Sequence, residues 1–316
     1  MAIAFTFPGQ GSQTVGMGKA LAEQFAAARD VFDEVDAALG QKLSQVMWEG
    51  PEADLTLTEN AQPALMAVSM AVMRVLESEH GITVANTAAY VAGHSLGEYS
   101  ALAAAGTFTL GDAARLLKAR GKAMQAATPV GTGAMAAILG LDFATAAQVA
   151  AEAAEADVCQ AANDNSDGQV VVSGHKSAVE RALVIAKAKG AKRAILLTVS
   201  APFHCALMQP AADIMAQALA QVTMKAPVVP LIANVIAGPV TDPAEIRRKL
   251  VQQVTGTVRW RECVGYMAAH GITRFCEIGS GKVLTGLLRK NAPEATGLAI
   301  GTPDDITAVM AQLKQG

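Results

Sequence analysis

Gly93-His94-Ser95-Leu96-Gly97 joins a strand-like apolar run, Ala88 to Ala92, to an alanine-rich helical run that ends at Gly106. A serine between two glycines at such a junction sits on a tight strand-to-helix turn with its hydroxyl presented outward, as a nucleophile requires. Ser95 then needs a base. Of the five histidines, His94 adjoins the serine, so its side chain is expected to leave the turn in another direction. His80 and His270 each precede a glycine at a helix end, where solvent exposure accounts for them, and His175 follows Gly174 at the start of a helix. His204 differs: it lies just past Pro202 and opens an apolar helix carrying Leu207, Met208, Ala211 and Met215. A helix N-terminus disfavours the imidazolium, which would leave a neutral ring able to accept a proton. A satisfied core histidine is the alternative. No acidic residue has a position that demands the far imidazole nitrogen, so a backbone or amide oxygen is left to fix the tautomer.

Arg120 is the second informative residue. The spacing Ala113, Leu116, Leu117, Arg120, Met124 places it on the apolar stripe of a helix whose other face carries Arg115, Lys118 and Lys122. A buried guanidinium needs an anionic partner, either an internal acid or the carboxylate of a ligand. An oxyanion formed at Ser95 would need two donors: the Leu96 N–H, directly after the nucleophile, and a second from the glycine-rich loop at Gln10. Two glycine-rich strings carry no nucleotide chemistry. Gly9-Gln10-Gly11 has Thr14 where a dinucleotide fingerprint has its third glycine, and Gly279-Ser280-Gly281-Lys282 lacks the remaining residues of a phosphate loop.

These side chains need elements to position them. Ile3 to Phe7 reads as a strand, turned at Pro8 to Gln13 into a helix carrying Leu21, Phe25, Val31 and Phe32; a second helix follows Gln62-Pro63. A third is expected from Leu110 to Gln125, opened by Thr109 with Asp112 as a capping pair. From Gly133 the order is strand 134–139, helix 143–154, strands 158–162 and 169–173, helix 178–189 and strand 193–200, a βαββαβ unit. The chain then returns to α/β style, with strand-like 228–235, helix 244–254, strand 273–278 and a helix from Lys282. The expected fold is α/β: an α/β-hydrolase-like large domain with a central, mostly parallel sheet, and an inserted ferredoxin-like small subdomain. The expected divisions are 1–130, 131–200 and 201–316, with a ligand cleft between the two units.

The chain has 316 residues, 52% hydrophobic and 17% charged, with a net charge of -3. That balance gives no electrostatic reason for nucleic acid or an anionic membrane as partner. The N-terminus shows no basic leader, and the apolar stretch at Ala64 to Met73 is closed by Arg74, so no export signal or membrane span is read. Cys159, Cys205, Cys263 and Cys276 are scattered without metal-type spacing, as suits reduced thiols in a cytoplasmic setting.

Taken together the motifs resemble the malonyl-CoA:acyl-carrier-protein transacylases of type II fatty acid synthesis, over nearly the whole chain. The strings that carry the resemblance are Phe7 to Gln13, Gln62-Pro63-Ala64, Gly93 to Ser100, Arg120-Gly121-Lys122 with Met124-Gln125, Asn165-Ser166 with Gly168-Gln169-Val170, His204 to Met208, and Gly281 to Leu284. The resemblance implies Ser95 as acylated nucleophile, His204 as its base, Gln10 and Leu96 as backbone oxyanion donors, and Arg120 as holder of the malonate carboxylate. Gln253 falls where that family has a residue whose main-chain carbonyl orients the histidine. Phe203, before the histidine, and Leu96 both lean towards malonyl over methyl-branched units. The implied partners are malonyl-CoA and acyl carrier protein, with no metal or prosthetic group and a monomeric state. Lys189, Lys192, Arg193, Lys282, Arg289 and Lys290 are candidates to meet an acidic carrier. Two other readings stay open: an esterase-type serine hydrolase, and a non-enzymatic module in which the βαββαβ unit senses a metabolite.

Overall fold

The computed structural model describes residues 2–313. Among them ten strands form two sheets. The larger uses β1 (Ala2–Phe7), β2 (Ala88–Gly93), β7 (Leu231–Ala233), β8 (Gly238–Val240), β9 (Ile272–Ile278) and β10 (Thr296–Ile300), in the order β10-β9-β1-β2-β7-β8. All neighbours run parallel except β7 and β8. Central parallel strands are covered on both faces, so they read as unbroken apolar runs, and Ile3 to Phe7 are all buried. The register sets Phe7 opposite Gly93, so the loops leaving β1 and β2 emerge side by side at the carboxyl edge of the sheet. That edge is where α/β sheets place ligands.

The smaller sheet holds β3 (Gly133–Leu139), β4 (Cys159–Ser166), β5 (Gln169–His175) and β6 (Arg193–Leu196), all antiparallel, in the order β4-β5-β3-β6. Helices Phe143–Ala154 and Lys176–Ala188 pack against it, giving the βαββαβ order read from the sequence. Its core is separate, built from residues such as Ile138, Val149, Val170, Val172 and Val179.

Helix Thr58–His80 runs through the middle of the large unit; apart from Glu59 and Arg74, every residue from Thr58 to Leu76 is buried. Helix Leu110–Ala126 packs on it, capped by Thr109, whose side chain accepts from the Asp112 N–H. The two helices approach so closely at Gly121 that a Cβ there would lie 2.5 Å from the Glu59 Cα. That contact brings Arg120 beside Gln62.

Several boundaries differ from expectation. Pro63 does not precede its helix but lies inside it, in the second turn, because the helix starts at Thr58. Phe25 adopts extended backbone and divides the first helical run into Lys19–Gln24 and Ala26–Leu39. Strand β6 stops at Leu196; Leu197 keeps one hydrogen bond to Met135 of β3, and residues 198–200 lie outside the strand. His204 opens no α-helix: a 3-10 turn, Ala206–Met208, follows it, and the helix begins at Gln209. No helix among the described residues is long and apolar enough to cross a membrane.

Candidate active site

Ser95 has a positive φ of 53°, and the turn around it has no room for side chains on its glycines. A Cβ on Gly93 would lie 1.9 Å from the Gly97 carbonyl carbon, and one on Gly97 2.2 Å from the Phe7 oxygen. A left-handed non-glycine residue costs about 1–3 kcal/mol and persists only where its surroundings enforce it. Here Asn234 enforces it. Its Oδ1 accepts from the Ser95 N–H at 2.9 Å and its Nδ2 donates to the Gly93 carbonyl at 2.8 Å. Asn234 carried no sequence signal, since it follows a three-residue strand far along the chain.

The Ser95 hydroxyl and His204 Nε2 are 2.7 Å apart, and His204 Nδ1 is 2.8 Å from the Gln253 carbonyl oxygen. A carbonyl can only accept, so Nδ1 carries the ring proton and Nε2 is left with a lone pair for the serine proton. His204 also has a positive φ, 58°. Burial lowers its pKa to about 3, with the Arg120 charge as the next cause. The ring is neutral as expected, but burial, not a helix terminus, is the reason.

Arg120 is 1% exposed. It donates to Gln62 Oε1 at 2.8 Å, Gln253 Oε1 at 2.9 Å and the Ser95 Oγ at 3.2 Å, and its guanidinium carbon lies 5.6 Å from the centre of the Tyr99 ring. No acid forms an ion pair with it among the described residues, and its Nε has no acceptor there. The internal salt bridge is thereby excluded. The Glu98 carboxyl favours the charge from a distance but makes no contact, so the guanidinium's own hydrogen bonds run to neutral acceptors and leave it open to an anion at the serine.

Below the serine, Gln253 Nε2 donates to the Ser95 carbonyl and to Glu98 Oε2, each at 3.0 Å. Glu98 is fully buried, and desolvation raises its carboxyl to about 7 against the hydrogen bonds from Asn234 and Gln253. On the sequence Glu98 passes for an ordinary acid in a first helical turn; its sign is that it is the sole charged residue of helix Gly97–Ala104.

These groups open into a cavity of about 330 Å³ between the two sheets, lined by Gln10, Ser95, Arg120, Phe203 and His204 on one side and by Met135, Val171 and Val199 on the other. His94 lines it too, yet its ring bonds Asn165 at 2.8 Å instead of Ser95. The Gln10 and Leu96 N–H groups engage no acceptor among the described residues. Leu96 itself is buried and lies behind the wall.

Residues 4–301 match the acyl transferase domain model. The chain belongs to the acyl transferase family. Within it, the chain is 48% identical over 307 residues to the malonyl CoA-acyl carrier protein transacylase of Escherichia coli K12, covering 97% of this chain and 98% of that protein. The fold is that of other acyltransferases: the crystal structure of acyl-carrier-protein-S-malonyltransferase from Bartonella henselae superposes with a TM-score of 0.97 at 58% identity, covering 99% of this chain and 100% of that one. A malonyl-transacylase solved in complex with its type II PKS acyl-carrier protein superposes with a TM-score of 0.95 at 41% identity, covering 99% and 100%.

Proposed function

We propose that this acyltransferase moves the malonyl group of malonyl-CoA to the phosphopantetheine thiol of an acyl carrier protein through a malonyl-serine intermediate. The observation that carries the reading is the meeting in one cavity of Ser95, His204 and an Arg120 that forms no ion pair among the described residues. Relatives named malonyl transacylases or malonyltransferases along the full chain support the choice of acyl group.

In the first half-reaction the Ser95 Oγ attacks the thioester carbonyl while His204 Nε2 takes its proton. The oxyanion faces the N–H groups of Gln10 and Leu96, donors whose individual loss costs about 2.7–4 kcal/mol in comparable sites. The C–S bond breaks, and CoA leaves as a thiol with the proton held by His204. In the second half the carrier thiol gives its proton to His204, attacks the malonyl-serine carbonyl and restores the Ser95 hydroxyl. Gln253 holds the histidine through its carbonyl oxygen, a part an aspartate plays elsewhere. Arg120 grips the malonate carboxylate, and Phe203 at the wall leaves little room for a branched acyl chain. The mechanism calls for no metal or prosthetic group.

The division 1–130, 131–200 and 201–316 fits this reading, with an α/β-hydrolase-like large part contributing the chemistry and a ferredoxin-like insertion closing the cavity. The chain acts as a cytoplasmic monomer. For carrier docking Lys192 and Lys290 are the strongest of the basic candidates, since both border one recess beside the small sheet. Lys189 is paired with Glu152, and Lys282 borders a different recess. Intact-mass analysis after exposure to malonyl-CoA tests the proposal. The expected result is one malonyl adduct, absent in Ser95→Ala, that a carrier thiol removes far faster than water. An adduct lost equally fast without carrier would make the protein a hydrolase, and no adduct at all a binding module.

A further inference from the structure

Glu98 is a buried titratable group beside the serine that this mechanism leaves unused. Its Oε2 accepts from the Asn234 N–H at 2.9 Å and from Gln253 Nε2 at 3.0 Å, while its Oε1 has no partner among the described residues. A primary amide has one accepting and one donating end, and Gln253 uses both. Its Nε2 side faces only acceptors: Glu98 Oε2, the Ser95 carbonyl and Asn234 Oδ1. Each also accepts a backbone N–H: the Ser95 carbonyl from Glu98, Asn234 Oδ1 from Ser95, and Glu98 Oε2 from Asn234, but only Glu98 is a carboxylate, with lone pairs to spare. On the other side Gln253 Oε1 accepts from Arg120 Nη2. Turned over, the same amide would set its N–H groups against the guanidinium and push it off its aim.

We infer that Glu98 is a positioning residue for acyl-group selection: by accepting from Gln253 Nε2 it fixes which end of that amide meets Arg120, and so holds the guanidinium towards the free carboxylate of the acyl group. This rests on the assignment of Arg120 to that carboxylate. The role belongs to a lone pair and not to a charge. Burial raises the Glu98 carboxyl to about 7, and a proton on the unpartnered Oε1 would leave Oε2 accepting as before. Glutamine can reproduce that arrangement, with its amide nitrogen in the unpartnered place; methionine fills the same space without a comparable acceptor.

The experiment compares initial rates of Ser95 acylation from malonyl-CoA and from acetyl-CoA, by intact mass, in the wild type, Glu98→Met, Glu98→Gln and Arg120→Ala. Glu98→Met is expected to lower the malonyl-to-acetyl ratio about tenfold, the scale of one lost buried hydrogen bond, through the malonyl rate alone. Glu98→Gln is expected to restore the ratio to within about threefold of wild type. Equal loss of both rates in Glu98→Met, or an unchanged ratio there, overturns the inference while leaving Arg120 in place. An unchanged ratio in Arg120→Ala removes the assignment of Arg120, and the inference with it. Should Glu98→Met fail to fold by circular dichroism, Glu98→Gln decides alone: a collapsed ratio would show that the charge, not the acceptor, matters.

Discussion

On the large-sheet wall of the cavity, Arg120, Gln253, Glu98 and Asn234 are all at most 1% exposed and joined by hydrogen bonds into one network beneath the serine. Across from it the small-sheet side is apolar: Met135 and Val171 are buried, and Val199, past the end of β6, is 36% exposed. One wall holds a buried polar network, the other apolar side chains of which Val199 is the exposed one. A satisfied polar network at low dielectric allows few arrangements, so it fixes atoms in place. Aliphatic side chains make non-directional contacts and fix little. The polar network sits on one wall, and non-directional apolar contact comes from the other.

If that division holds, the largest effects belong to the polar wall. His204→Ala should lower the rate of serine acylation by roughly 10⁴-fold or more, at or beyond the upper end of what a general base contributes, while a stopped-flow binding signal for malonyl-CoA stays near wild type. Asn234→Ala comes next. It leaves the Ser95 N–H and the Gly93 carbonyl unpaired, so urea unfolding should show a loss of about 1–3 kcal/mol together with slower acylation. A stable, active Asn234→Ala protein would show that the left-handed serine needs no clamp.

The third effect is one of pH, and its sign differs between the two buried groups. His204 is lowered from 6.5 to about 3, so it adds nothing above 6.5 and stability is lost as pH falls from there. Glu98 is raised from 4.5 to about 7, so the folded protein holds a proton that the unfolded chain has released, and its contribution is lost as pH rises through that window. Glu98→Gln removes only the second. Melting temperatures taken between pH 4.5 and 7 should therefore show the variant gaining on the wild type as pH rises. The smallest effect is expected on the open wall: Val199→Ser should change kcat by less than about twofold, as surface substitutions do. A loss there as large as that of Asn234→Ala would end the contrast between the walls.

What was legible in the sequence follows the same line. Ser95 stood out because a tight turn demands glycines at fixed places, and Arg120 because a charge interrupts an apolar stripe. The βαββαβ order showed itself through alternating periodicities. His204 was found from its place at a junction, although the helix invoked for its neutrality begins only at Gln209. Gln253 was legible through family likeness, but for its carbonyl alone; the side chain that reaches Arg120 and Glu98 was not. Asn234 and Glu98 were missed for a physical reason. Their partners lie 136 to 155 residues away in the chain, and a lone amide or acid carries no period by which to recognise it.

The pairing of Phe7 with Gly93 places the two proposed oxyanion donors, Gln10 and Leu96, one past the end of each of two neighbouring strands. Neighbouring residues along a strand are about 3.3 Å apart, more than the length of a hydrogen bond. One residue inserted into either strand would therefore carry its donor out of range of a shared oxygen, with every side chain still present. Length changes across this lineage should accordingly be tolerated in the loops bordering the small sheet and rejected within β1 and β2.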